Sequence, residues 1–233
     1  MAPGAWREVR RGLADTWLVG LGLVPLGIAF GLVVTHAGFA WWWAPIFSVL
    51  IYAGSSEFLA VEMVTAGVGP VASALTGFMV NFRHLVYGLT FPRHLIRSQV
   101  GRAYSTYALT DESYAIASAV RPDSGARVLS IQVLCQAVWV LSGILGALAG
   151  QIIPPSIQGM DFALTALFVV LAYETFRSSR DYSAVLIAGA IAVAAAVVAP
   201  DQMLLVSLPL FFLVLLARFW NPGLDKKLTW RAK

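Results

Sequence analysis

Apolar residues in this chain fall into long runs with few polar breaks, not into the one-sided stripes of a water-soluble helix. The runs are Trp17–Gly38, Trp41–Gly69, Val71–Phe91, Val128–Gly150, Phe162–Phe176, Ser183–Ala199 and Met203–Phe219. A helix needs about 20 such residues to cross a bilayer. The pattern predicts an all-α, polytopic membrane protein with six or more transmembrane helices, organised as a single integral membrane domain over residues 1–233. Two runs are interrupted, at Gly54-Ser55-Ser56 and at Asn81–His84. Irregular backbone at membrane depth survives only when buried in protein or lining a wet cavity, so broken or re-entrant segments are expected, with the turn near Gly54-Ser55-Ser56. The stretch YSTYALTDESYAIASAV (Tyr104–Val120) is too polar to face lipid. It reads as a helix packed inside the protein or lying at the cytoplasmic face.

Composition agrees: 59% of the 233 residues are hydrophobic and 12% charged, against about 25% charged in soluble domains. Charge adds orientation. Arg and Lys cluster at Arg7–Arg11, Arg93–Arg102, Arg121–Arg127, Arg177–Arg180 and Arg218–Lys233. The positive-inside rule then places both termini in the cytoplasm, with Pro154-Pro155 and Pro200 at outer turns. The net charge of +4 is accounted for by these loops and needs no nucleic acid. Alternating crossings through the first three runs would leave Arg93, Arg97 and Arg102 outside. A Trp41–Gly69 segment that turns near Gly54-Ser55-Ser56 and returns to its own side removes the conflict; a kinked full crossing is the alternative. The first run, preceded by Arg7, Arg10 and Arg11, is expected to remain as an uncleaved span. One cysteine, Cys135, allows no internal disulfide and no thiol-built metal cluster. No cofactor motif is present.

Ionisable groups in a membrane cost a few kcal/mol each and point to function. Glu57 and Glu62 lie in a stretch, Trp41–Gly69, without Lys, Arg, Asn or Gln. Desolvation favours the neutral form of a carboxyl, which makes Glu57 a candidate to load and release a proton. The alternative is a structural carboxyl bonded to Ser55 or to a neighbouring helix. Glu62, about 140° further round a helix, reads as a solvated rim residue. In NFRHLVYG (Asn81–Gly88), Asn81 and His84 share a helix face while Arg83 points elsewhere. Arg83 suits a substrate carboxylate, an internal acid such as Glu57, a structural ion pair, or snorkelling to the surface. Thr110-Asp111-Glu112 reads as a helix cap or as part of a pathway. Gln136 and Trp139 share a face and suit a cavity wall or interhelical glue. Gly20, Gly27 and Gly31 suit close packing. A short echo joins Gly54–Phe58 to Gly159–Phe162.

These pieces resemble the AzlC family, the large subunit of branched-chain amino acid exporters, from about Leu13 to Phe219. The resemblance is carried by PLGIAFG (Pro25–Gly31), YAGSSEF (Tyr52–Phe58), VNFRHLVYG (Val80–Gly88), LTDESYA (Leu109–Ala115), QAVWVLSGILGALAG (Gln136–Gly150) and GMDFALTALF (Gly159–Phe168). It implies export of hydrophobic amino acids such as leucine, isoleucine or valine; protons are a candidate coupling ion because Glu57 could load and release one. It also implies a small AzlD-type membrane partner in the cytoplasmic (inner) membrane, for which the glycine faces Gly20–Gly31 and Gly143–Gly150 are candidate contacts. Position 57 departs from the family pattern, which is expected to show Gln there more often than Glu. On this reading the substrate or proton pathway uses Ser55, Ser56, Glu57, Asn81, Arg83, His84, Asp111, Glu112, Gln136 and Trp139.

Two other classes are weaker. An intramembrane enzyme would use Glu57 and His84 as acid and base, but the chain has no HExxH and no readable Ser/His/Asp set. A non-transporting scaffold or receptor has no need of Glu57, Arg83 and Asp111-Glu112. The absence of GxxxxGK[ST] fits a secondary transporter better than a nucleotide-driven one.

Overall fold

The structure is a computed structural model that describes residues 3–153 and 180–230, together with positions 169, 172, 173 and 176. The Pro154-Pro155 turn, the Gly159–Phe168 motif and most of the run Phe162–Phe176 lie outside the described residues. The described residues hold helices and no β-strand: this is an all-α polytopic membrane protein. Two compact units form, one of Met1–Gly67 with Asn81–Thr165, the other of Val68–Val80 with Ala166–Lys233.

The first unit is built on two long helices, α1 (Pro3–His36) and α8 (Gly125–Gly150). Both are long and apolar enough to cross a membrane. In α1 the buried positions are Gly12, Thr16, Gly20, Leu23, Gly27, Phe30, Gly31 and Val34, a single face at helical spacing. That face is dominated by small residues, while Trp17, Leu18 and Leu21 are exposed. The arrangement inverts a soluble helix and suits lipid, where small residues let backbones approach and large ones face the tails. A Cβ on Gly31 would run into the Gly143 carbonyl and the Ala147 amide, and would stand 2.9 Å from the Gly146 carbonyl carbon. One on Gly27 would stand 3.1 Å from the Trp139 carbonyl oxygen and collide with Ser142. Gly12 meets Ser130 and Gly150 meets Thr35 in the same way. Residue numbers rise together along both helices, so α1 and α8 run parallel. The glycine faces expected to receive a partner subunit are therefore filled by one another.

The other helices of this unit are short: α2 (Trp43–Leu50), α3 (Gly54–Thr65), α5 (Arg83–Thr90), α6 (Gln99–Tyr107) and α7 (Asp111–Val120). At about 1.5 Å per residue none reaches the ~30 Å of a hydrocarbon core. The run Trp41–Gly69 is broken as expected, but at Ile51-Tyr52-Ala53, one step earlier than Gly54-Ser55-Ser56. Tyr52 takes the left-handed conformation, φ 44°, while Gly54-Ser55-Ser56 form the first turn of α3. The helix α4 (Pro70–Asn81) ends where α5 begins, after Phe82. Tyr104–Val120 is likewise two helices, parted at Ala108–Thr110.

The second unit contains α9 (Tyr182–Val198), α10 (Met203–Trp220) and α11 (Pro222–Leu228). Of these α10 is long and apolar enough to cross. Buried Arg218 binds Asp181 (2.6 Å), Asp225 (2.8 Å) and Thr229 (2.9 Å), tying the start of α9 to α10 and α11. Burial alone would raise the Asp181 carboxyl, but bonds from Ser183 and Arg218 outweigh it and hold it at about 2.

A Gly31→Val change should lower the thermal midpoint of the detergent-solubilised protein, at a cost of about 1–3 kcal/mol for overpacking. Gly20→Ala should leave the midpoint nearly unchanged, because its Cβ would meet only Val138 Cγ2 at 3.6 Å. Equal melting of the two variants would contradict the close approach of α1 and α8.

Candidate functional site

Three helix interruptions lie in the first unit: α2–α3, the joint before α5, and α6–α7. Each leaves backbone groups without helical partners, and each must satisfy them without water. The last turn of α2 does so through Tyr107, whose hydroxyl donates to the Val49 carbonyl at 2.5 Å. Gln132 on α8 donates its Nε2 to the carbonyls of Ser105 (2.9 Å) and Ala108 (3.0 Å), closing the end of α6. Thr110 opens α7 with a capping box: its hydroxyl accepts from the Ser113 amide at 3.4 Å, and the Ser113 hydroxyl accepts from the Thr110 amide at 3.0 Å. No side chain caps α3.

Glu57, in the first turn of α3, is fully buried. Its carboxylate accepts from the Ser48 hydroxyl at 2.7 Å and from the Trp139 indole N–H at 3.0 and 3.1 Å. The hydroxyl partner is thus Ser48 on α2, not Ser55. Phe58 and Trp139 both pack on Phe30, edge-on at 5.4 Å and stacked at 6.1 Å. No basic side chain bonds this carboxylate among the described residues; its neighbours are neutral donors and aromatic rings. Glu62 is exposed, as expected for a rim residue.

Arg83 opens α5 and does not reach Glu57. It forms a two-pronged pair with Asp111, Nε to Oδ1 at 2.8 Å and Nη2 to Oδ2 at 2.5 Å. Of the roles open to it, the ion pair is the one the structure displays. Asn81 Nδ2 donates to Ser56 Oγ at 2.5 Å. The joint before α5 thus holds the first turns of both α3 and α7. His84 turns back to the Asn81 carbonyl, 3.1 Å from Nδ1, and its ring packs edge-on against Tyr87. Gln136 joins Tyr104 and Tyr107, accepting from one hydroxyl and donating to the other, each at 2.8 Å.

A small cavity of about 30 Å³ lies beside these groups. It is lined by Leu23, Tyr52, Gly54, Thr110, Glu112, Cys135 and Trp139. Glu112 and Trp139 are the two expected site residues that line it. Glu57 does not line it, but accepts the N–H of the Trp139 indole that does. Ser48, Tyr52, Tyr107 and Gln132 escaped the sequence reading. Only Gln132 had a readable signal: Gln132, Cys135, Gln136 and Trp139 recur at spacings of three and four, one face of α8.

A polytopic membrane protein whose centre is made of interrupted helices and buried polar side chains is the class that this fold and site define. The chain belongs to the AzlC family. The family profile described as AzlC protein matches residues 19–153, which includes α2, α3, both later interruptions, the second half of α1 and all of α8. The chain is 29% identical to the branched-chain amino acid transport protein AzlC of Bacillus subtilis over 184 residues, 77% of this chain and 72% of that one. It is 30% identical to the inner membrane protein YgaZ of Escherichia coli over 190 residues, 77% of each chain. An uncharacterized membrane protein of Helicobacter pylori is 28% identical over 84% of this chain and 88% of its own. No solved structure matches.

Asp111→Asn and Arg83→Gln should each destabilise the protein by about 1 kcal/mol, the scale of a half-exposed pair. The double variant Arg83→Gln with Asp111→Asn should cost less than the sum of the two single losses. Thermal unfolding of the four proteins measures this; strictly additive losses in the double variant would mean that the pair does not couple α5 to α7.

Proposed function

We propose that this chain exports branched-chain and other hydrophobic amino acids across the cytoplasmic membrane. It acts as a secondary transporter together with a small AzlD-type membrane subunit. The observation that carries this reading is Glu57: a fully buried carboxyl at an interrupted helix, held by neutral donors from two other helices. A carboxyl so placed is costly in a membrane and is characteristic of substrate and ion pathways. Interrupted helices grouped at one level are a common way for secondary transporters to build such a pathway. The Bacillus subtilis relative, named for branched-chain amino acid transport, supports the substrate class. The direction of transport and the partner rest on the family resemblance.

The pathway uses Ser55, Ser56, Glu57, Asn81, Arg83, His84, Asp111, Glu112, Gln136 and Trp139, with the whole of residues 1–233 acting as one transporter domain. Arg83–Asp111 and Asn81–Ser56 tie the first turns of α3 and α7 together and are contacts that opening would break. Both termini are cytoplasmic. In support, Asp15 pairs with Arg127 at 2.7 Å and Ser124 donates to Glu8 at 3.3 Å, so two basic clusters sit at the same end of parallel helices. An enzyme reading finds less support, because the His84 ring meets the Asn81 carbonyl and not Glu57.

Cells expressing the chain with its small subunit should release labelled leucine, isoleucine and valine faster than cells without it. Glu57→Ala should cut that release about tenfold or more, the factor worth about 1.4 kcal/mol, because it strands the Trp139 and Ser48 donors. Glu62→Ala should leave it near normal at equal expression. If Glu57 carries a proton without being essential for exchange, Glu57→Gln keeps release and loses its pH dependence. Normal release by Glu57→Ala would remove the residue from the pathway.

A further inference from the structure

We infer that the end of the first unit where α1 and α8 begin binds the headgroups of anionic phospholipids. The ligands are arginines from three separate segments that the fold brings together there. This needs only that the chain spans a membrane and stands apart from the transport reading.

Ser124, which caps α8, donates to Glu8 of α1 at 3.3 Å and so brings the stretch Arg7–Arg11 to the stretch Arg121–Arg127. The third stretch arrives at Gly125. A Cβ there would stand 2.6 Å from the Leu95 carbonyl oxygen and 2.9 Å from Ile96 Cα, so the 3-10 turn Arg93–Leu95 lies directly on the first residue of α8. Ile96 is buried with Phe91, Leu109, Ala117 and Val128, which anchors the turn in the core. Acids do not cancel the charge gathered here. Glu8 is paired with Arg11 at 2.8 Å and Asp15 with Arg127 at 2.7 Å. Arg7, Arg10, Arg93, Arg97, Arg102 and Arg121 are exposed, and no ion pair among the described residues holds any of them. In these three stretches Asp123 is the one acid outside a pair. Two of the arginines are also held in place. Arg93 Nη1 donates to Thr106 Oγ1 and Arg102 Nε to the Ile96 carbonyl, each at 2.6 Å. A neutral oxygen takes one N–H and leaves the charge and the other donors of the guanidinium. A fork fixed in that way suits a phosphate.

Apolar surface beside these charges favours a lipid over a soluble anion. Trp6, Arg10, Leu13 and Trp17 follow at spacings of four, three and four, which is one face of α1, and all are exposed. Arg10 therefore lies on the side of α1 that meets lipid further along, about 10 Å before Trp17 at 1.5 Å per residue. Tryptophan gathers at headgroup level. On α6, Val100, Ala103 and Tyr107 form a second exposed apolar face at helical spacing, and it begins between Arg97 and Arg102. An arginine beside exposed apolar surface at the end of a span keeps its stem among acyl chains and its charge among headgroups. Basic clusters of this kind next to a span attract anionic lipid.

The full chain, purified in detergent, is titrated with phosphatidylglycerol and with phosphatidylcholine of the same acyl chains, and bound lipid is counted by native mass spectrometry. Phosphatidylglycerol should be retained several-fold more than phosphatidylcholine, and added salt should narrow the gap. Arg10→Gln with Arg97→Gln should remove most of the preference. Lys226→Gln with Lys227→Gln, which takes the same charge from the second unit, should keep it. Glycerol phosphate at equal concentration should not compete, because it lacks acyl chains. Spin-labelled forms of the two lipids give the same comparison in bilayers on the unaltered chain, free of any folding defect in a variant. Equal retention of the two lipids overturns the headgroup site, as does a preference that survives the loss of Arg10 and Arg97 or vanishes with the two lysines. Competition by glycerol phosphate would make this a site for soluble anions, and displacement of the lipid by the small subunit would give the surface to a protein partner. Either result overturns the assignment to lipid.

Discussion

The backbones of α1 and α8 touch. A Cβ on Gly27 or Gly31 of one helix, or on Gly146 of the other, would collide with the facing helix. In lipid there is little hydrophobic gain from pairing two apolar helices, so such a contact is held by dispersion between closely fitted surfaces. Because the helices run parallel and in register, one face of α8 is committed along its length. The residues that recur beside that face, Gln132, Cys135 and Trp139, are buried in turn. They are presented to the short helices, where they close the α6 end and hold Glu57.

The interruptions follow from the same frame. A helix end in a membrane must find partners for its free carbonyls and amides, because water is not available to solvate them. Tyr107 supplies one for α2, Gln132 two for α6, and Thr110 with Ser113 caps α7. Tyr107 and Gln132 reach these carbonyls from segments far away in sequence, whereas the α7 cap is local. Thr110 of that cap also lines a small cavity, together with the Glu112 carboxyl and the Trp139 indole. Such an arrangement costs free energy in a bilayer, which is why it reads as function.

Much of this was legible in the residues. Hydropathy alone specified an all-helical membrane chain, and Gly54-Ser55-Ser56 lay beside a real interruption, whereas Asn81–His84 and Tyr104–Val120 read as unbroken helix and are each divided in two. The position of the first break was less legible: glycine suggested the turn, whereas Tyr52 takes the left-handed conformation and Gly54 starts the helix. Glu57 stood out because a lone carboxyl in an apolar run is costly, but its partners did not. Ser48 and Trp139 lie 9 and 82 residues away, and no local pattern reports a contact between elements. Arg83 was recognisable as a charge in need of an acid. Asp111 rather than Glu57 meets it because the joint before α5 lies over the start of α7. The small-residue faces were recognisable as packing surfaces, yet sequence could not tell an external partner from the chain's other long helix.

The account turns on amino acids passing through this interrupted-helix centre. The most direct measurement is counterflow of labelled leucine in proteoliposomes that contain the purified chain and its small subunit. With unlabelled leucine trapped inside, the account predicts a transient, saturable accumulation of label that empty liposomes lack and that external leucine analogues without an ammonium do not suppress. Label uptake indistinguishable from that of empty liposomes, with both subunits folded and inserted, would contradict it.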